Sequence, residues 1–228
     1  MDTAATAPAS APRTLDVVSD VVCPWCYIGK RRLESALAIW SRGEARVVWR
    51  PFMLNPDLPR EGVDRAAYLR AKFGPDGGAG RFAEVTAIGA ELGIAFAFDR
   101  IARTPNTLQA QRLIRWALAL DGQDAMVEAL FQAYFVDGED IGDDAVLARI
   151  AGAAGFDGGT VAEFLAGDQH AAEIRSEDEF ARRIGITGVP CFIVDRSFAV
   201  SGAQPAAAFL ETFEAASRAS GDATADIV

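Results

Sequence analysis

Two of the three cysteines stand two residues apart in Val21-Val22-Cys23-Pro24-Trp25-Cys26-Tyr27, and no other feature limits the fold of this chain so strongly. An apolar, β-prone run (Leu15, Val17, Val18, Val21, Val22) precedes the pair, and a helix-compatible run from Ile28 to Trp40 follows it. The pair is therefore expected at a strand-to-helix junction. Cysteines so spaced at a helix start can close a small disulfide with little backbone movement and reopen it by exchange with another thiol. Unpaired N–H groups in the first helical turn and the helix dipole favour negative charge on a sulfur there, so a thiolate is expected at Cys23. Pro24 suits the first helical position, where its missing N–H costs nothing. The competing reading is half of a structural zinc site. Zinc takes four ligands, however, and Cys191 and His170, the remaining cysteine and histidine, do not form a ligand-spaced pair. The redox reading is therefore preferred.

Composition excludes several classes of function. With 228 residues, 50% of them hydrophobic and 24% charged, the chain has the make-up of a water-soluble globular protein with a sizeable core. A formal net charge of −10 argues against nucleic acid as a partner, since a duplex binder presents a basic surface. Residues 1–13 are small and proline-containing and read as a disordered tail. They lack the basic start and continuous apolar core of a secretory signal, and no stretch reaches the length of a membrane span. A cytoplasmic location is expected, where a Cys-x-x-Cys pair serves as a transient, catalytic disulfide rather than a permanent staple.

Taken in order, residues 14–20 read as a buried strand, 24–41 as a helix and 45–51 as a second strand, a β-α-β unit around the cysteine pair. From 61 to 184 apolar residues recur at helical spacing, predicting helices near 64–73, 79–92, 106–121, 123–136, 143–154, 158–166 and 169–184. Asn106 with Gln109 suggests a capping box, and Asp143 an N-cap. Residues 189–194 and 198–200 then read as a β-hairpin, Pro205 opens a last helix over 206–216, and 218–228 should fray. The expected α/β organisation is one domain from 14–60 and 185–217, a helical insertion at 61–184, and flexible ends.

Three local sequences carry a family resemblance: Ser19-Asp20 before Cys-Pro-Trp-Cys-Tyr-Ile-Gly-Lys-Arg-Arg, Pro105-Asn106-Thr107 opening a helix through Arg112-Leu113-Ile114, and Gly188-Val189-Pro190 followed by Ala199-Val200-Ser201-Gly202-Ala203-Gln204-Pro205. Together they resemble the FrnE-like subgroup of the DsbA family of disulfide oxidoreductases, which implies a thioredoxin-like fold with a helical insertion. By that resemblance Cys23 is an exposed nucleophile and Cys26 the resolving thiol. Pro190 matches a cis-proline facing the pair, and Val189 offers its backbone to a bound peptide as an added strand. Pro24 and Trp25, inside the motif, tune the pair's potential and meet substrate. Protein or small-molecule thiols and disulfides are the implied substrates, with no tightly bound cofactor and glutathione as a candidate redox partner. Homodimerisation is compatible with the resemblance, although no stretch marks an interface. The family often has histidine at position 111, where this chain has glutamine, so Gln111 receives no acid–base role.

Cys191 follows Pro190 and is either a third redox thiol beside the pair or a small buried hydrophobe on the strand's other side; the second reading is preferred. Asp16 and Asp20 are candidates for a carboxylate that takes the Cys26 proton, Asp16 if it points inward, while Asp20 suits local backbone bonding. Lys30, Arg31 and Arg32 read as a solvated helix face. His170 with Asp168 and Glu173 is read as a helix start capped by Asp168 rather than as a metal site. Gly78 to Ala83 lacks the preceding strand of a dinucleotide fingerprint, and Asp137 to Gly142 lacks the closing acid of a calcium loop. The principal competing function is a glutathione-dependent isomerase or transferase related to 2-hydroxychromene-2-carboxylate isomerase and kappa-class glutathione transferase, on which a serine stands in the motif's place. A peptide-binding chaperone using the groove by Val189 is a third.

Overall fold

Residues 13–225 are described by a computed structural model. Of the tail expected at 1–13, Arg13 alone falls within the described residues, where it begins the first strand. The β-prone run forms β1 (Arg13–Ser19), the helix-compatible run forms α1 (Pro24–Ile39), and β2 (Ala45–Pro51) pairs parallel to β1 with Ser19 opposite Pro51. The chain then passes through β3 (Val63–Asp64), α2 (Arg65–Phe73), α3 (Ala79–Glu91), β4 (Arg103–Thr104), α4 (Leu108–Leu118) and α5 (Gln123–Gln132), which a π-helical turn at Ala133–Asp137 prolongs. Next come α6 (Asp144–Ala153), α7 (Gly158–Ala166) and α8 (Ala171–Arg183), and the hairpin β5 (Cys191–Val194) and β6 (Phe198–Ser201) leads to α9 (Ala206–Ala225). The four main strands lie in the order β2-β1-β5-β6, with β5 antiparallel to both β1 and β6. This is the expected thioredoxin-like arrangement with its helical insertion.

Alternation along the central strands decides what lies on each face of the sheet. Leu15 and Val17 of β1 and Phe192 and Val194 of β5 are fully buried in a cluster with α1 and α9. That cluster continues through Tyr27 to Phe131, Phe135 and Leu147, and Tyr27 stacks on Phe131 with ring centroids 4.9 Å apart. The insertion and the sheet therefore share one core. On the sheet's other face Val18, Phe52 and Cys191 meet Ala181 of α8 in a smaller cluster.

Several local expectations change for identifiable reasons. The predicted capping box is not made: Asn106 Oδ1 accepts from Leu108 N–H at 3.0 Å, while the Gln109 amide turns to Asp144 and the Leu165 carbonyl. Asp143 does cap α6, accepting from Val146 N–H at 3.0 Å. At α8 the residue before the helix is His170, with φ of 66°, and Asp168 contributes its carbonyl rather than a side-chain cap. Lys30 is not solvated. It is 3% exposed and paired with Glu34, Asp124 and Glu128, because α5 lies over the α1 face that an isolated helix would show to water. A buried ammonium is tolerable only with such partners. The two-residue strands β3 and β4 are too short to carry a periodic signal. Finally, α9 runs helical to Ala225 rather than ending at 216, its alanines favouring continuation over fraying.

Candidate active site

Asp20, Val21 and Val22 carry the chain from β1 into α1, and the turn is closed by Cys23 N–H donating to the Asp20 carbonyl at 3.0 Å. Cys23 is the N-cap of α1 and Pro24 occupies its first turn, as the motif predicts. Cys26 N–H donates back to the Cys23 carbonyl at 3.0 Å, which folds the two thiols over one helical turn. Both are free thiols. Cys23 is less open than the resemblance implies: it is 6% exposed, and its Sγ–H points at the Val189 carbonyl 3.5 Å away. Cys26 is 1% exposed. Burial raises its thiol pKa well above the ordinary value and the adjacent Cys23 adds to this, while the Ser19 hydroxyl and the Asp20 backbone N–H act in the opposite direction.

The Val189–Pro190 peptide bond is cis, and the Pro190 carbonyl accepts from Gly202 N–H at 2.8 Å. This brings Pro190 and Val189 against the start of α1, so the structure gathers Cys23, Cys26, Val189 and Pro190 in one place. A side chain at position 29 would stand in the way. A Cβ on Gly29 would lie 2.9 Å from Phe192 Cζ and 3.0 Å from Pro190 Cγ. A mid-helix glycine, costly to helix stability, is the signal in the sequence that marks this close approach. We expect Gly29→Val to lower unfolding free energy by about 1–3 kcal/mol through overpacking and to push Pro190 away from α1. Chemical denaturation checks this, and an unchanged midpoint would contradict the close approach.

Of the two candidate carboxylates, the strand's alternation turns Asp16 outward, where it pairs with Arg50 at 2.7 Å. Asp20 is the buried one, with no exposure, and its Oδ2 accepts from Leu54 N–H at 2.7 Å. Burial raises its pKa from 3.8 to about 6, against the pull of Leu54, Thr107 and the backbone N–H groups of Val22 and Val21. Gln111 donates through Nε2 to the Ser19 carbonyl at 3.0 Å, which holds the end of β1 rather than a proton. Cys191 is not beside the pair. It faces Val18, Phe52 and Ala181 across the sheet, so its place as a third redox thiol has no geometric support, and burial raises its pKa as for an inert core thiol. Among the described residues, no group of three or more His, Cys, Asp or Glu side chains could hold a metal ion, and none of their helices is long and apolar enough to cross a membrane.

Beside the motif lies a cleft of about 320 Å³, bounded by half-buried Pro24 and Trp25, by Asn55 and Thr104, and by α2 and α3. Its charged lining is mostly basic: Arg65, Lys72 and Arg81 against Glu84. Arg65 was not foreseen from sequence. It is 8% exposed, donates to the Tyr134 hydroxyl at 3.1 Å and lies over the rings of Phe82 and Phe98, with no carboxylate among the described residues in ion-pair contact.

Comparison with known proteins agrees with this geometry. The pattern described as the DSBA-like thioredoxin domain matches residues 14–214. A crystal structure of a probable DsbA oxidoreductase from Streptomyces coelicolor is 34% identical, with a TM-score of 0.79 and 87% of each chain covered. Cytosolic disulfide reductase DsbM from Pseudomonas aeruginosa, solved with GSH, is 22% identical, with a TM-score of 0.62 over 87% of this chain and 98% of that one. The uncharacterised protein YwbO of Bacillus subtilis is 27% identical over 79% of this chain and 86% of its own length.

Proposed function

Since the chain belongs to the DSBA-like thioredoxin domain family, we propose that it is a thiol–disulfide oxidoreductase of the FrnE-like kind, cycling Cys23 and Cys26 between dithiol and disulfide. The observation that carries this reading is the pair itself: two free thiols on the first turn of α1, facing Val189 and cis-Pro190. Cys23, nearer the surface and at the N-cap, attacks a substrate disulfide. Cys26, wholly enclosed, resolves the mixed disulfide that results. Pro24 and Trp25 set the surroundings of Cys23, and Val189 presents its backbone to a peptide substrate. Cysteine rather than serine at position 23 supports disulfide exchange over the glutathione-activating chemistry of isomerase-like relatives. The reading is tested by insulin reduction or reactivation of scrambled ribonuclease: catalysis that survives Cys23→Ser overturns it.

The cleft supports an anionic thiol as redox partner, with glutathione the natural cytoplasmic choice. With no carboxylate among the described residues in ion-pair contact, the Arg65 guanidinium is available to pair with a carboxylate that a ligand brings. We expect Arg65→Met to raise KM for glutathione disulfide about five- to tenfold, the loss of roughly 1–1.4 kcal/mol, while changing KM for neutral 2-hydroxyethyl disulfide less than twofold. Equal effects on both substrates would remove Arg65 from recognition.

A further inference from the structure

Ser19, the last residue of β1, is buried on the side of the sheet that holds Cys26. Strand alternation puts it on the face of Leu15 and Val17, the face that packs on α1 and holds both cysteines. It is 4% exposed, and its hydroxyl has no hydrogen-bond partner among the described residues of the dithiol protein. A buried hydroxyl left unpaired is costly, so keeping one calls for an explanation. The residue is also held in place, because its carbonyl accepts from Phe52 N–H at 3.0 Å and from Gln111 Nε2 at 3.0 Å. The Ser19 hydroxyl and the neighbouring Asp20 N–H both favour ionisation of Cys26, whereas the Asp20 carboxylate accepts from Leu54 N–H through Oδ2 and leaves Oδ1 with no hydrogen-bond partner among the described residues.

We propose that the Ser19 hydroxyl and the Asp20 N–H form a two-donor seat for the Cys26 thiolate, filled only while Cys23 is bound to substrate. The inference rests on the oxidoreductase reading. Cys23 thiolate attacks a disulfide R–S–S–R′, the S–S bond breaks, and R′–S⁻ leaves. Cys23 is then a neutral mixed disulfide. Burial, the largest cause opposing ionisation of Cys26, remains and is what the two donors offset, while the charge and hydrogen bond of Cys23 that added to it are gone. Cys26 gives its proton to the departing R′–S⁻, directly or through water, and the resulting thiolate accepts from Ser19 and Asp20. It attacks Cys23 Sγ, the bond to R breaks, R–S⁻ takes a proton from solvent, and the Cys23–Cys26 disulfide remains. Two electrons have passed to the substrate. In the dithiol Cys26 is a thiol and in the disulfide it is uncharged, so the donors find an anion in the mixed-disulfide intermediate alone. That accounts for a hydroxyl without a partner in the dithiol protein. As a hydrogen-bond donor to a reacting atom, Ser19 is a catalytic residue.

Two measurements decide it. In a Cys23→Ala background, the titration of Cys26 followed through its 13Cβ chemical shift should move up by about one pH unit on adding Ser19→Ala, and return on Ser19→Thr, which restores the hydroxyl. In the chain with both cysteines, reaction with 5,5′-dithiobis(2-nitrobenzoate) separates the steps, the first thionitrobenzoate reporting attack by Cys23 and the second resolution by Cys26. Ser19→Ala should slow the second release about tenfold and leave the first within twofold, with thermal melts confirming that the variants fold. An unmoved Cys26 titration, or equal slowing of both releases, overturns the proposal. If the unaltered chain catalyses no disulfide exchange, the oxidoreductase reading fails while the titration still decides whether the seat exists.

Discussion

Cys23→Ser is expected to lower catalysed disulfide exchange by at least about a hundredfold, because the hydroxyl that replaces the thiol is not a nucleophile toward sulfur at neutral pH. The buried partner cannot take over. Cys26 is enclosed, and burial keeps it a thiol, so a bulky substrate disulfide reaches only the sulfur at the N-cap. The opposite substitution has a different signature. Cys26→Ser leaves the first attack intact and removes resolution, so a covalent adduct between Cys23 and the substrate should accumulate to near one per chain. Intact mass spectrometry after incubation with glutathione disulfide or oxidised insulin checks both: an adduct on Cys26→Ser and none on Cys23→Ser. Adducts of equal abundance in the two variants would mean that the roles are not divided in this way.

The second large effect is on stability and comes from Asp20. Its carboxyl is fully buried, and its pKa is raised from 3.8 to about 6. The folded protein thus binds this proton more tightly than the unfolded chain does. Stability from this group is fully present at low pH, declines as pH rises from about 4 to about 6, and levels off above that range. The decline amounts to about 3 kcal/mol. Asp20→Asn removes the ionisation and keeps an oxygen for the Leu54 N–H, so the variant should gain on the unaltered chain progressively across that window and stay ahead at pH 7. Urea denaturation at closely spaced pH values gives the comparison. Glu128, held below its ordinary range by Arg31 and Lys30 despite its burial, slopes the other way in both proteins and cancels in the difference. Parallel stability curves for the two proteins would show that Asp20 ionises in the fold as freely as in water.

Much of the fold was legible because the elements that matter are long and periodic. The helices of the insertion lie within a few residues of their expected ranges, and the two ends of the chain close into one sheet as their apolar alternation requires. The pair and its facing proline were legible for another reason, being local motifs whose letters are tied to backbone geometry. What was hidden depends on which surfaces meet. Alternation says that Cys191 and Phe192 face opposite sides of β5, but only the register that sets Val18 against Cys191 decides which side holds the redox pair. The same ambiguity favoured Asp16 over Asp20. Lys30 and Arg65 look like surface cations in sequence, and their burial follows from α5 covering α1 and from aromatic rings gathering around α2. Ser19 stands in a motif that carries the resemblance, yet nothing in the letters marks its hydroxyl, whose importance lies in a partner missing among the described residues.

The central claim, that Cys23 and Cys26 form the redox couple, is tested most directly by mapping disulfides after equilibration across a series of glutathione redox buffers. Peptides from each buffer are alkylated and analysed by mass spectrometry. A single two-electron transition is expected, in which the peptide containing Cys23 and Cys26 passes from two alkylated thiols to one internal disulfide, with Cys191 recovered as a thiol throughout. Its midpoint gives the reduction potential of the couple and so the direction in which it drives substrates. A dominant bridge from either residue to Cys191, or a pair that stays dithiol under the most oxidising buffer, would contradict the account.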